Sequence, residues 1–378
     1  MCVASDPLPD STQQAAPTGA APAVEDESEE LGVRGRLLFG VAQPHRAEAD
    51  DGRPSPTRVR VTSAVPPRPH PLPVPNGWYA ATRSSALGPR HIVSLTAVGR
   101  ELVIFRDDNN AAHVLDAHCP HFGAHLGGGW IADDRLACPY HGWEFDGTGV
   151  CRYIPYHDGP VPSRARVRSY PTVEQDGFVW FWYHSAGAEP TYELPAVSEV
   201  DDPDWTEAFP FDADLVAALQ EMAENNVDYA HFNFVHRANK MPLLSSTFTT
   251  DGPTARVVEE LAGGLKFSRD VCGPGFALLR LPNTLTVLAA TTPIDRGTCR
   301  LQWNFHFPES MRDMAHELVA TVTGEYDLQA DIPIWADKVY RERPVMVKTD
   351  AAIAQFRHWY AQFYDTSAPQ HAEADKET

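Results

Sequence analysis

Basic side chains are scarce in this sequence: 31 Lys and Arg stand against 51 Asp and Glu, for a formal net charge of -20. A nucleic-acid binder normally presents a basic face, so the balance argues against that class. The acidic surface keeps the chain soluble and leaves room for a small basic partner steered by its field. Cysteine is sparse as well. The six, at positions 2, 119, 138, 151, 272 and 299, lie far apart, which speaks against a disulfide scaffold. No uninterrupted apolar run approaches the roughly 18 residues of a membrane-spanning helix. The most apolar region, residues 276–294, is broken by Arg280, Pro282 and Asn283. The N-terminus also lacks the basic start and apolar stretch of a secretory signal. A cytoplasmic, reducing location with no transmembrane segment is the expectation.

What is present is a chain of 378 residues, 43% hydrophobic and 22% charged, long enough for more than one globular unit. Residues 1–74 are rich in proline and carry an acidic run from Glu25 to Glu30. Such a segment buries too little apolar surface to offset chain entropy, so it reads as disordered, with a short apolar patch at Leu37 to Val41. Order is expected from Pro75 onward. Strand-like runs at 91–95, 101–106, 113–116 and 177–183, separated by turn residues, predict a small all-β unit over residues 75–188. The character then changes. Helices are expected over 215–231, 310–341 and 351–363, with alternating strands between 248 and 307. An α+β unit over residues 189–366 follows, with residues 367–378 as a disordered tail.

The first unit contains C-x-H, sixteen residues, then C-x-x-H: Cys119, His121, Cys138 and His141. Two close pairs on separate loops can grip one compact centre, with soft thiolates and neutral imidazoles as ligands. A structural zinc site uses the same residue types. In a Rieske [2Fe–2S] centre two cysteines hold one iron and two histidines the other. Gly123, Gly127, Gly128, Gly129 and Gly142 in the flanks would let backbone N–H groups approach the bridging sulfurs, and such contacts tune a redox potential that zinc does not have. The cluster is therefore preferred. His125 and Cys151 lie outside the pattern and read as a packing or hydrogen-bonding histidine and a buried thiol.

The second unit contains ENNVDYAHFNFVH. On a regular helix Asp228 and His231 share a face, whereas His236 points about 140° away from His231. Both imidazoles can meet one metal only if the helix ends or bulges between them, which predicts a distortion at Phe232 to Val235. Two histidines and a carboxylate on one face, with open positions opposite, form the facial triad of non-haem Fe(II) oxygenases.

The stretch CPHFGAHLGGG followed by CPYHGWEFDGTG resembles the cluster loops of Rieske-type ring-hydroxylating oxygenases. The pattern N-x-x-D-x-x-H-x-x-x-x-H at Asn225, Asp228, His231 and His236 resembles the iron signature of the same family. The resemblance spans residues 75–364 and implies an all-β cluster domain followed by a helix-grip-like catalytic domain, an antiparallel sheet with flanking helices. It implies Asp331, in QADIPIWADK, as the third iron ligand, with Asp327 and Asp337 as competitors. It implies that Asp228 relays electrons from His141 of a neighbouring protomer in a head-to-tail homotrimer. It also implies electrons arriving from NAD(P)H through a reductase or ferredoxin. IPIW, CRYIPY and FRHWYAQFY are similar to the single-subunit branch that includes 3-ketosteroid 9α-hydroxylase, cholesterol 7-desaturase and the prodiginine oxidative cyclases. The expected substrate is accordingly bulky and apolar, sterol-like or a secondary metabolite, to be hydroxylated, desaturated or cyclised. Phe276, Leu279, Leu281, Leu285 and Val287 are either walls of its pocket or, as favoured for most of them, ordinary core. The competing functions are an electron-transfer protein without oxygenase activity of its own and a zinc-dependent binding protein.

Overall fold

The computed structural model describes residues 68–236, 243–324 and 327–364. The expected disorder of residues 1–67, the Leu37 to Val41 patch and the expected tail at 367–378 lie outside the described residues. Within residues 68–74, assigned by composition to the extension, two side chains are packed: His70 is buried against Tyr340, and Val74 joins the core.

Eleven strands make up the N-terminal half: β1 (Gly77–Arg83), β2 (Ile92–Ala97), β3 (Arg100–Arg106), β4 (Ala112–Asp116), β5 (Trp130–Ala132), β6 (Arg135–Ala137), β7 (Glu144–Phe145), β8 (Cys151–Tyr153), β9 (Ser169–Tyr170), β10 (Thr172–Gln175) and β11 (Phe178–Tyr183). They form three small antiparallel sheets, ordered β2-β3-β4-β9, β5-β6-β7-β8 and β1-β11-β10. In β11 the residues Phe178 to Trp182 are all buried, as expected of an aromatic and β-branched run enclosed on both faces.

The C-terminal half is built on one seven-stranded antiparallel sheet. Its strands are β12 (Phe209–Val216), β13 (Leu243–Asp251), β14 (Thr254–Leu261), β15 (Lys266–Cys272), β16 (Phe276–Leu281), β17 (Leu285–Pro293) and β18 (Thr298–His306). The order β12-β18-β17-β16-β15-β14-β13 is a meander closed on one edge by β12. Alternation fixes its faces: in β14 Ala255, Val257, Glu259 and Leu261 point inward. Among the described residues five helices accompany it: α1 (Leu219–Ala223), α2 (Tyr229–Phe234), α3 (Ala315–Val322), α4 (Leu328–Asp337) and α5 (Ala351–Tyr360). Among the described residues no helix is long and apolar enough to cross a membrane.

Two helical expectations are corrected. The stretch 215–231 is not one helix. Leu215 and Val216 belong to β12, paired with Cys299 and Thr298, and the ladder overrides their helical spacing. The helix that follows is interrupted at Val227, where ψ turns to -2°, and restarts after Asp228. Likewise, the stretch 310–341 divides into a short 3-10 turn, α3 and α4, and regular helix ends at Asp337. The C-terminal helix lies where expected.

The two halves share one core. Tyr79, Leu102 and Val179 pack in the same cluster as Leu215, Leu301 and Trp335. Arg83 of β1 donates to Asn304 and Asp212 across this boundary, and Thr292 donates to the carbonyl of Ala80. Burial of this kind holds the halves in a fixed relation.

Candidate active site

The four Cys and His residues of the first constellation sit on two loops with matching hydrogen bonds. In the first, Cys119 N–H donates to the Ala124 carbonyl and Gly123 N–H to the Cys119 carbonyl, both at 2.9 Å. In the second, Cys138 N–H donates to the Trp143 carbonyl at 2.8 Å and Gly142 N–H to the Cys138 carbonyl at 2.9 Å. Gly123 and Gly142 take φ of +75° and +71°, a conformation that closes each loop and that side-chain-bearing residues rarely adopt. Their N–H groups thus go to carbonyls, not to sulfur. A Cβ on Gly129 would lie 2.0 Å from the Ala137 carbonyl, so that glycine permits the first loop to lie on β6. The N–H group that does reach a sulfur is that of His121, which hydrogen-bonds the Cys119 thiol.

The loops bring all four side chains together. The thiols of Cys119 and Cys138 hydrogen-bond one another, and both residues are buried. The rings of His121 and His141 lie 4.8 Å apart at the partly exposed end. Nδ1 of His121 is buried and has no hydrogen-bond partner, an orphaned acceptor suited to a metal. Trp143 stacks on His121 at 4.5 Å, and its indole N–H donates to the Tyr156 hydroxyl, so the ring is held by its neighbour. Burial pushes the Cys119 thiol up to about 12, a preference that a bound cation reverses, since a coordinating thiol is deprotonated. The donor set fits two irons bridged by sulfide, with thiolates inside and imidazoles toward the surface. His125 accepts from Gly127 N–H, and Cys151 is a buried thiol near the Tyr153 carbonyl, as the sequence suggested.

The second constellation lies where α1 breaks and α2 begins. Asp228 is the N-cap of α2 and accepts from His231 N–H through Oδ1 at 3.3 Å. Nδ1–H of His231 donates to the Asp228 carbonyl, which fixes the tautomer and leaves Nε2 as the free nitrogen. α2 ends at Phe234, before His236, as the angular offset of the two histidines required. Their rings lie 5.0 Å apart. Asp331, in the first turn of α4, points to the same place: its Oδ2 is 3.5 Å from His236 Nε2. One ligand atom from each of His231, His236 and Asp331 falls within 4.8 Å of the others, a set that fits one metal ion. Burial, aided by the charges of Arg269 and Lys338, holds the His231 imidazole down at about 4, hence neutral and able to ligate. Burial raises the Asp331 carboxyl to about 7, against a hydrogen bond from the Asn225 side chain that favours its charged form. Of the two competing carboxylates, Asp327 is buried nearby and Asp337 closes α4; neither joins the group.

A cavity with about 1270 Å³ of empty space, its mouth included, opens beside these three residues. Phe276, Leu279, Leu281 and Val287 line it, whereas Leu285 belongs to the core behind it. The preference for core at most of these positions agrees with the packing, since Phe276, Leu281 and Val287 are buried members of hydrophobic clusters, and the same side chains also wall the cavity where helices arch over the sheet. Arg269, which the motifs did not single out, also lines the cavity. It donates to Glu259 at 2.7 Å and lies 5.4 Å over the Phe232 ring, joining β14 and β15 to α2. Its inward direction was available from alternation, since Phe267 and Val271 flank it two residues away on the same face.

Comparison with known proteins adds the family. Residues 77–171 match the Rieske [2Fe-2S] domain, and residues 181–364 match the 3-ketosteroid 9α-hydroxylase C-terminal domain. The chain is 32% identical over 350 residues to cholesterol 7-desaturase nvd of Drosophila melanogaster, covering 80% of this chain and 78% of that protein. It is 29% identical over 322 residues to the Rhodococcus rhodochrous protein named "Probable 3-ketosteroid-9-alpha-monooxygenase, oxygenase component", covering 76% and 79%. The crystal structure of dicamba monooxygenase bound to dicamba superposes with a TM-score of 0.65 at 20% identity, covering 77% of this chain and 98% of that one, a likeness of fold. The chain belongs to the Rieske non-haem iron oxygenases, oxidoreductases that carry a Rieske [2Fe–2S] cluster and a mononuclear iron.

Proposed function

We propose that this chain is the oxygenase component of a multicomponent system that hydroxylates, desaturates or oxidatively cyclises a bulky, apolar, sterol-like substrate. The observation that carries the reading is the apolar cavity converging on His231, His236 and Asp331. The relatives named for sterol and ketosteroid chemistry support the substrate class. Electrons would come from NAD(P)H through a reductase or ferredoxin.

Each residue then has a task. Cys119 and Cys138 would hold one iron of the cluster, His121 and His141 the other. His231, His236 and Asp331 would hold the mononuclear iron, which supplies dioxygen activation when bound. The Asp228 carbonyl orients His231, and the Asn225 amide, by hydrogen-bonding Asp331, favours the charged, ligating form of that carboxyl against the effect of burial. The cavity walls bind the apolar body of the substrate and exclude water from the reacting carbon. Asp228 Oδ2, 3.9 Å from His231 Nδ1 on a partly exposed side chain, would face His141 of a neighbouring protomer in a head-to-tail trimer.

The test is reconstitution with a ferredoxin, its reductase and NADPH, following oxygen uptake and product mass over cholesterol and 3-ketosteroids. Uptake coupled to an oxidised sterol supports the reading. No stimulation by any of these compounds, with both metal centres loaded, would overturn the substrate class.

A further inference from the structure

Asp327 stands at the N-cap position of α4, a place where aspartate normally accepts from the first helical N–H groups. Here its side chain makes no capping bond. It is 9% exposed, and its Oδ2 is buried without any hydrogen-bond partner. It lines the same cavity as the iron-site residues. Buried polar atoms in native proteins are nearly always partnered, and an orphaned one in a cavity wall marks a place where something else binds. Protein groups nearby do not fill the role: the Arg269 guanidinium acts on Asp327 only through its charge and makes no hydrogen bond to Oδ2, its Nη1 donating to Glu259 and the Asn226 carbonyl. Nor does Asp327 belong to the metal-holding group formed by His231, His236 and Asp331.

We propose that Asp327 is the specificity-determining residue of the cavity, and that its carboxyl hydrogen-bonds a hydroxyl group on an otherwise apolar polycyclic substrate. The inference rests on the sterol reading and sharpens it. A hydroxyl can donate to Oδ2 and can also accept, so it satisfies the group as carboxylate or as acid; a ketone, acceptor only, cannot satisfy the carboxylate. A cationic head is disfavoured by the apolar walls and by the guanidinium beside them. Asp327 stands at the N-cap four residues before Asp331, on the wall of the same cavity.

The experiment is equilibrium binding to the iron-loaded protein of three probes of one shape: cholesterol, cholest-4-en-3-one and 5-cholestene, which lacks the hydroxyl. The wild type should hold the alcohol about tenfold or more tighter than 5-cholestene, with the ketone between them. Asp327→Leu should erase that preference while leaving 5-cholestene binding undiminished, and Asp327→Asn, which keeps a donor and an acceptor, should retain it. Because Oδ2 has no partner within the protein, the Leu variant should fold with an unchanged or higher unfolding midpoint. A Leu variant that fails to fold, or that still prefers the alcohol, overturns the assignment, as does a wild type that binds the three probes alike. In each of those cases sterol binding itself survives. A protein that binds none of the three removes both the assignment and the sterol reading.

Discussion

Nε2 of His236 lies 3.5 Å from Oδ2 of Asp331, although one follows a short helix at the start of the catalytic half and the other opens a helix near its end. Two ligand-type atoms at that separation, both buried, are closer to a chelate than to a salt bridge. Replacing Asp331 with Ala should lower the iron content from about three to about two per chain and abolish product while leaving the visible spectrum of the cluster intact. Metal analysis beside optical spectroscopy reads both. Full iron retention in the variant would remove Asp331 from the ligand set.

Asn225 is a positioning residue in this account, since its amide reaches the metal site through Asp331. Outer hydrogen bonds of this kind are worth about 10–100-fold in metal affinity. Asn225→Ala should weaken mononuclear iron binding by about that factor in a chelator competition. The reduced cluster should keep its EPR signal. Unchanged iron affinity would leave Asn225 with a packing role only.

The Arg269–Glu259 pair is buried on both sides, with side chains 11% and 1% exposed. Arg269→Leu leaves an uncompensated carboxylate inside the fold, which costs about 3–5 kcal/mol. The double variant Arg269→Leu, Glu259→Leu should recover most of that loss. Urea unfolding of the four proteins of the cycle measures it, and equal instability of the single and double variants would contradict the pairing.

Glu199 gives a pH dependence away from the metals. Burial works to raise its pKa, but hydrogen bonds from Arg280 and Ser198 outweigh this and hold it at about 2, against an ordinary 4.5. A depressed carboxyl contributes stability that is complete above 4.5 and is lost as pH falls from there toward 2. Glu199→Gln should lower stability at neutral pH and flatten its fall across that acid window. Parallel acid-unfolding curves for both proteins would contradict the assignment.

Much of the grouping at the two sites was legible in the sequence because side chains carried on a single loop or turn have spacings that survive folding. Cys119 with His121, Cys138 with His141, and His231 with His236 are local pairs, and the need for a helix end between the last two followed from angle alone. What was not legible depends on partners distant in the chain. Leu215 has helical spacing, yet pairing with Cys299 keeps it in a strand. Asp327 and Asp331 are equally acidic neighbours, and only the arrival of His236 and Asn225 beside one of them separates their roles. Whether Phe276 or Leu285 faces a ligand or a core is decided by which helices cover the sheet, and a strand's own alternation does not say.

One chain carries two separate iron centres, a Rieske cluster and a lone mononuclear iron. Low-temperature EPR of the anaerobically purified, dithionite-reduced protein, run beside His231→Ala and Cys138→Ser, tests it most directly. The wild type should show a rhombic cluster signal, His231→Ala the same signal, and Cys138→Ser none. A colourless, EPR-silent wild type containing zinc, or a cluster signal lost with His231 and kept without Cys138, would contradict it.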